Sequence, residues 1–211
     1  MEAELFTAIR SGDVARVRSL LKASPGLASA RDESGLSAVL TALYHRQPDV
    51  CVALVAARPE LDVLDAAAVG RIDVLRSHIE SDQDALAARS PEGFTPLHLA
   101  AFLGGAPAVR LLLAAGMDAD ADQDNPARVR PLHSAVAARD VDAASALLEA
   151  GADPDPRQQG GYTPLLAAAH NDDVSMVEML LRYGADRGLA ADDGRDPLAI
   201  AGPRVRPLLE G

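Results

Sequence analysis

The side chains able to do chemistry are few and scattered. The five histidines are His45, His78, His98, His133 and His170. None stands in an HExxH pattern or clusters with the single cysteine, Cys51, so the sequence assembles no zinc site. The acidic run Asp118, Asp120, Asp122 and Asp124 sets carboxylates at alternate positions, as a calcium loop does, but such a loop also uses glycine at its sixth position and glutamate at its twelfth. Counted from Asp118 those positions hold Gln123 and Val129, and counted from Asp120 they hold Asn125 and Pro131. The run therefore reads as solvated surface. Ser134 follows His133 directly, yet a nucleophile and its base are neighbours in space, and adjacency in sequence does not align them. Gly104-Gly105 and Gly160-Gly161 lack the Lys-Ser/Thr that completes a phosphate loop. With no nucleophile, base and orienting group placed together, the chain is predicted to be non-enzymatic, with no cofactor and no bound metal.

The elements that must carry these side chains follow from composition and periodicity. Of 211 residues, 48% are hydrophobic and only 3% aromatic, with no tryptophan. A core is affordable, and it is built of Ala, Leu, Val and Ile at close range, which disfavours a β-sandwich. The net charge of −11 argues against a nucleic-acid partner, which needs a basic stripe to displace counterions, and against an anionic membrane surface. One cysteine cannot form an intrachain disulfide, so a reducing compartment fits. The start MEAELFTAIR is acidic where a signal peptide is basic, and no stretch reaches the roughly 18 to 20 apolar residues of a membrane span. A soluble, cytoplasmic chain is predicted. Lys22 is the one lysine among 20 basic residues, and with the wealth of alanine this suggests a bacterial, GC-rich source.

The chain repeats itself. FTPLHLAAFLGGAPAVRLLLAAGMDAD from Phe94 recurs as VRPLHSAVAARDVDAASALLEAGADPD from Val129 and as YTPLLAAAHNDDVSMVEMLLRYGADRG from Tyr162. Anchored on the small residue in the middle of each first helical pattern, seven units appear, at Ala8, Ala42, Ala66, Ala100, Ala135, Ala168 and Ala201. Their spacings are 34, 24, 34, 35, 33 and 33. Such a period means stacked supersecondary units. Thr95 and Thr163 stand where a helix N-cap hydroxyl accepts a backbone N–H, with Pro96 and Pro164 at the first helical position. Ser37 and Asp196 can cap likewise, whereas Arg130 before Pro131 cannot. A second helical pattern carries Leu20-Leu21, Leu54-Val55, Leu112-Leu113, Leu147-Leu148 and Leu180-Leu181 at one register. Gly116, Gly151 and Gly184 follow it, where a left-handed C-cap is needed. Cys51 aligns with Val17, Val109 and Val177 and reads as a packed thiol.

These residues resemble the ankyrin repeat family, whose period is about 33 and whose signature includes T-P-L-H-x-A. Thr95-Pro96-Leu97-His98-Leu99-Ala100 matches it fully. The resemblance covers essentially the whole chain and is strongest from Phe94 to Asp186. It implies an all-α solenoid of about seven helix-turn-helix units with short β-hairpin-like fingers and a truncated C-terminal cap. This would be a single domain over 1–211, with units near 2–34, 35–60, 61–90, 91–125, 126–157, 158–190 and 191–211. His98 and His133 then occupy the position whose imidazole ties neighbouring turns together. Units one to three depart from the pattern. Ser24-Pro25, Arg58-Pro59 and Ser81-Asp82 replace the terminal glycine, and His78-Ile79 stands where other units have a leucine pair. The spacing of 24 predicts that units two and three join directly through Pro59 to Val63, leaving a gap in the row of fingers.

What the resemblance leaves for function is a surface. In such stacks partners lie along the finger tips and the exposed face of the first helices, which together form a concave groove. Carried across by position, that surface comprises Glu33, Leu36, Tyr44 and His45 in unit two and Phe94, Phe102 and Leu103 in unit four. Arg128 and Val129 supply it in unit five, and Tyr162, His170 and Asn171 in unit six. It holds four of the chain's six aromatics, the residues interfaces favour at hot spots. The alternative is that Phe94 and Tyr162 cover the finger-to-helix junction. Phe94, Phe102 and Tyr162 are expected to act as one patch, with Tyr44 contributing less, and Arg128, Arg130 and Arg157 to form a local basic spot. The resemblance thus implies a monomeric module binding another protein; a dedicated regulator or inhibitor of an enzyme is the alternative.

Overall fold

The computed structural model describes residues 1–57, 60–122 and 126–210. Arg58, Pro59, Gln123, Asp124 and Asn125, named above, lie outside them, as does residue 211. The described chain is a row of helix pairs. These are α1 (Glu2–Ser11) with α2 (Val14–Ala23), α3 (Ala38–Tyr44) with α4 (Pro48–Ala57), and α5 (Val63–Ala68) with α6 (Ile72–Ser81). Then come α7 (Pro96–Leu99) with α8 (Ala106–Ala114), α9 (Pro131–Ala138) with α10 (Val141–Glu149), and α11 (Pro164–His170) with α12 (Val174–Arg182). The row closes with α13 (Pro197–Ile200) and the four-residue α14 (Arg206–Leu209), the truncated cap that the resemblance implies.

Short polar side chains start the first helices. Ser37, Asp62, Thr95, Thr163 and Asp196 each accept the N–H three residues on. Arg130 gives no side-chain cap, but its own N–H donates to His133 Nδ1 at 3.1 Å. That supplies the reciprocal half of a capping box and offsets part of the expected weakness. The first helices stack through their small residues, Ala8 to Ala168, all of which are buried. The second helices present the leucine register, with Leu54, Leu112, Leu147 and Leu180 completely buried. Gly151 has φ +93° at the end of α10, the left-handed cap its position demands.

The turns after α1, α3, α5, α9 and α11 also contain a left-handed residue, and three of these are not glycine: Arg46, Arg139 and Asp172. In unit four the turn is wider, π-type over Ala100–Gly104. The backbone there lies so close to unit three that a Cβ on Gly104 would stand 2.0 Å from the Ala67 carbonyl oxygen. Only glycine permits that approach.

The fingers are hairpin-like in closure and not in strand content; among the described residues the β pairing is one isolated bridge, Arg31 to Ser37. Pairs of backbone bonds close them: the N–H of Asp32, Ser90, Gln158 and Ala191 donates to the carbonyl of Leu36, Phe94, Tyr162 and Arg195, and the carbonyl of the same four residues accepts from Gly35, Gly93, Gly161 and Gly194. Two 3₁₀ turns, Pro25–Ser29 and Gln83–Ala87, follow α2 and α6, where units one and three lack the terminal glycine. Between α4 and α5 the chain runs only from Ala57 to Val63, too short for a finger. Among the described residues this junction is also the most sparsely packed of the inner row. It is bridged by polar bonds instead. Ser37 Oγ donates to Asp65 Oδ1 at 2.5 Å, and Arg31 pairs with Asp62 at 2.7 Å.

Candidate functional site

The missing finger has a consequence on the concave side. All of α5 is buried, so Tyr44 of unit two and Phe94 and Phe102 of unit four come together in the wall of one pocket of about 310 Å³. Val129 and Asn171, both expected at the surface, line it as well. Leu99, Ala137 and Ala167 add apolar surface, and His98, Ser134 and Gln158 add polar atoms. Phe102 is 42% exposed, Phe94 is half-buried with its ring 5.6 Å from that of His98, and Tyr44 is half-buried against the core. Burial raises the Tyr44 phenol well above its ordinary value, with the Glu92 charge adding to it.

Seven of the twelve expected surface residues lie elsewhere. His45 and His170 are exposed on the first-helix row, and Leu103 packs against the core. Leu36 is buried, because the finger closes over it. Tyr162 is not in the pocket; it is half-buried and its phenol is within electrostatic reach of Arg195 in the next finger. The patch therefore groups Tyr44, rather than Tyr162, with Phe94 and Phe102. Arg128, Arg130 and Arg157 do converge, but with Asp120, Asp153 and Asp155 around them. Arg130 pairs with Asp122 at 3.1 Å and Arg157 with Asp192 at 3.2 Å. The expected basic spot is a mixed-charge surface.

The groups that looked reactive are occupied with structure. His98 Nε2 bonds the Val129 carbonyl at 2.9 Å while Nδ1 accepts the Thr95 N–H, and His133 Nε2 reaches the Tyr162 carbonyl at 3.3 Å. A carbonyl only accepts and a backbone N–H only donates, so each ring is the neutral Nε2–H tautomer. Burial, opposed by these carbonyl bonds and helped by nearby arginines, lowers both imidazoles to about 4. With both His133 nitrogens engaged, Ser134 has no base beside it. Burial likewise pushes the Cys51 thiol up to about 11, the mark of an inert packed thiol.

Asp118 and Asp120 of the acidic run belong to a ladder that sequence reasoning missed. Asp118, Asp153 and Asp186 each accept the N–H two residues on. Asp120 accepts the Asp153 N–H at 3.0 Å, and Asp155 accepts the Asp186 N–H at 3.0 Å. The signal was present as Asp118, Asp153 and Asp186 at the repeat period, with D-x-D in the first two, legible once units are aligned.

A row of helix pairs with left-handed caps, histidine ties between turns and an apolar hollow on its inner face is a repeat protein built to present a surface. A family model for ankyrin repeats in three copies matches residues 63–158, and one for a single ankyrin repeat matches 160–193. The chain belongs to the ankyrin repeat family. It is 32% identical over 200 residues to the B-cell lymphoma 3 protein homolog of Mus musculus, covering 94% of this chain and 39% of that protein. It is 33% identical to the neurogenic locus Notch protein of Drosophila melanogaster over 72% of this chain and 6% of that protein. Protein phosphatase 1 regulatory subunit 27 of Mus musculus is 33% identical over 42% of this chain and 58% of its own length. The chain thus spans less than two thirds of each. All three are animal proteins and lend nothing to a bacterial source. Ankyrin repeats are as a rule non-catalytic interaction units, and a protein-interaction role is what membership carries to this chain. No helix among the described residues is long and apolar enough to cross a membrane.

Proposed function

We propose that the chain is one ankyrin repeat domain over 1–211 that binds a partner protein through its concave face, without catalysis, as a monomer in the cytoplasm. The observation that carries this reading is the convergence of Tyr44, Phe94 and Phe102 around one hollow on that face. Aromatic anchors clustered in a concavity are the usual energetic centre of an interface. His45, His170 and Asn171 would form its rim, with Arg128 and Tyr162 contacting the partner at the finger side. The test is capture of a partner on the immobilised chain, followed by titration of the purified partner against Phe102→Ala and His170→Ala. Loss of affinity at an unchanged melting temperature supports the reading.

A second reading, a dedicated regulator of an enzyme, is favoured by the likeness to a protein whose name marks it as a phosphatase regulatory subunit. It requires that the captured partner be an enzyme whose turnover changes when the wild-type chain is added, and stays the same with Phe102→Ala.

A further inference from the structure

The outer helices carry a second apolar hollow, away from the concave face. It lies between α2 and α4, has a volume of about 450 Å³, and is walled by Leu21 and Pro25 on one side and by Val52, Ala53, Ala56 and Ala57 on the other. Val52 is 64% exposed. Its place in the repeat makes that exposure unusual. Ten residues after the small anchor of the first helix, units one and three to six carry Arg18, Arg76, Arg110, Ser145 and Glu178, and unit two alone carries valine. A lone apolar side chain in water needs no explanation, but this one stands over an apolar floor.

The rim supplies the chemistry of the partner. Arg18 and Lys22, one turn apart on α2, line the same hollow and are its only charged residues. Both are exposed. Among the described residues neither pairs with a carboxylate, whereas nine arginines elsewhere do. In a chain of net charge −11, two adjoining unpaired cations beside an apolar floor complement an acidic group brought from outside. Side chains four apart on a helix stand about 5 to 6 Å from one another, a spacing that two carboxylates one turn apart on another helix match. The hollow between two packed helices is also the shape into which the ridge of a third helix fits.

We propose that this outer hollow docks an acidic amphipathic helix of a partner protein, with its apolar face over Val52 and Ala56 and its carboxylates on Arg18 and Lys22. The surface is formed by second helices and the aromatic pocket by first helices and fingers, so this site does not rest on the concave-face reading.

The chain has no tryptophan, so a tryptophan-bearing peptide reports its own burial by fluorescence when titrated with the full chain. Two peptides of about 15 residues, the length an isolated helix needs, share a leucine stripe containing one tryptophan. One carries glutamate along the edges of the stripe and the other lysine at the same places. Only the glutamate peptide is expected to bind, and more weakly as salt is added. Lys22→Glu should weaken it about three- to tenfold. Arg182→Glu, the same charge change at the same repeat position in unit six, should alter it less than about twofold. Val52→Ser gives unit two the residue that unit five carries there, and should weaken the peptide about three- to tenfold at an unchanged melting temperature. Binding of neither peptide at about 1 mM, equal binding of both, or equal loss in Lys22→Glu and Arg182→Glu would overturn the proposal. So would dimerisation of the free chain that Val52→Ser abolishes, or binding to phosphatidylserine vesicles in preference to the peptide, since each gives the hollow a different occupant.

Discussion

Ser37→Ala probes the thinnest joint in the stack. Ser37 is 2% exposed and does two things: Oγ accepts the Leu40 N–H at 3.0 Å, capping α3, and donates to the fully buried Asp65 at 2.5 Å. Losing the cap costs about 1 kcal/mol. Losing a bond to a buried carboxylate costs about 1.5 to 3 kcal/mol. The sum, about 2.5 to 4 kcal/mol, is a large share of a stability of about 5 to 15 kcal/mol. In a nearest-neighbour stack a loss at one interface decouples the units on either side. The α3 and α5 helices approach each other over fewer positions than the other first-helix neighbours do. Urea unfolding with hydrogen exchange reads this out, using the exposed Ser19→Ala as control. The expected result is a separate early transition, with amides in 1–57 exchanging first while 126–190 keep their protection. A loss below about 1 kcal/mol, or exchange rising evenly across all units, would refute the reasoning.

Gly151→Ala should cost about 1 to 2 kcal/mol, all of it backbone strain, since φ is +93° and a Cβ meets nothing within 4 Å; equilibrium unfolding measures it. His98 and His133 titrate near 4 when folded against 6.5 when free. The unfolded chain therefore binds more protons in between, and stability is full above pH 6.5 and falls as pH drops toward 4. The decline is up to about 3 kcal/mol per histidine and should be absent in that window from the His98→Gln, His133→Gln double variant. Asp172 accepts the N–H groups of Arg204 and Val205 and pairs with the Arg204 guanidinium. Asp172→Gly removes these bonds while tolerating φ +51°, so exchange should rise in 197–210 and nowhere else.

The repeats, the caps at Ser37, Thr95, Thr163 and Asp196, the glycine at the end of α10 and the short cap were legible because each is a local demand of backbone chemistry written in one residue type. The histidine ties followed from the family likeness. The pocket was half legible. First-helix and finger positions could be assigned by register, but which neighbours meet depends on how far units two and four approach across α5. That is set by the absent finger and by the Gly104 contact with Ala67. Tyr162 was misplaced for the same reason, since register does not say which side of its finger a ring occupies. The arginines were misread because their partners, Asp122 and Asp192, are brought near only by the fingers' fold. Asp65 stands three residues after its cap Asp62, as His98 does after Thr95, and its role appears only once Ser37 is seen bonded to it.

The central claim is that the concave face binds a partner protein. Calorimetric titration of the purified partner into wild type and Phe102→Ala, with melting curves of both, tests it most directly. The account predicts about a thirtyfold loss of affinity, as for a hot-spot aromatic of about 2 kcal/mol, at an unchanged melting temperature because Phe102 is 42% exposed. Equal affinity for the two chains, or a Phe102→Ala chain that melts several degrees lower, would contradict it.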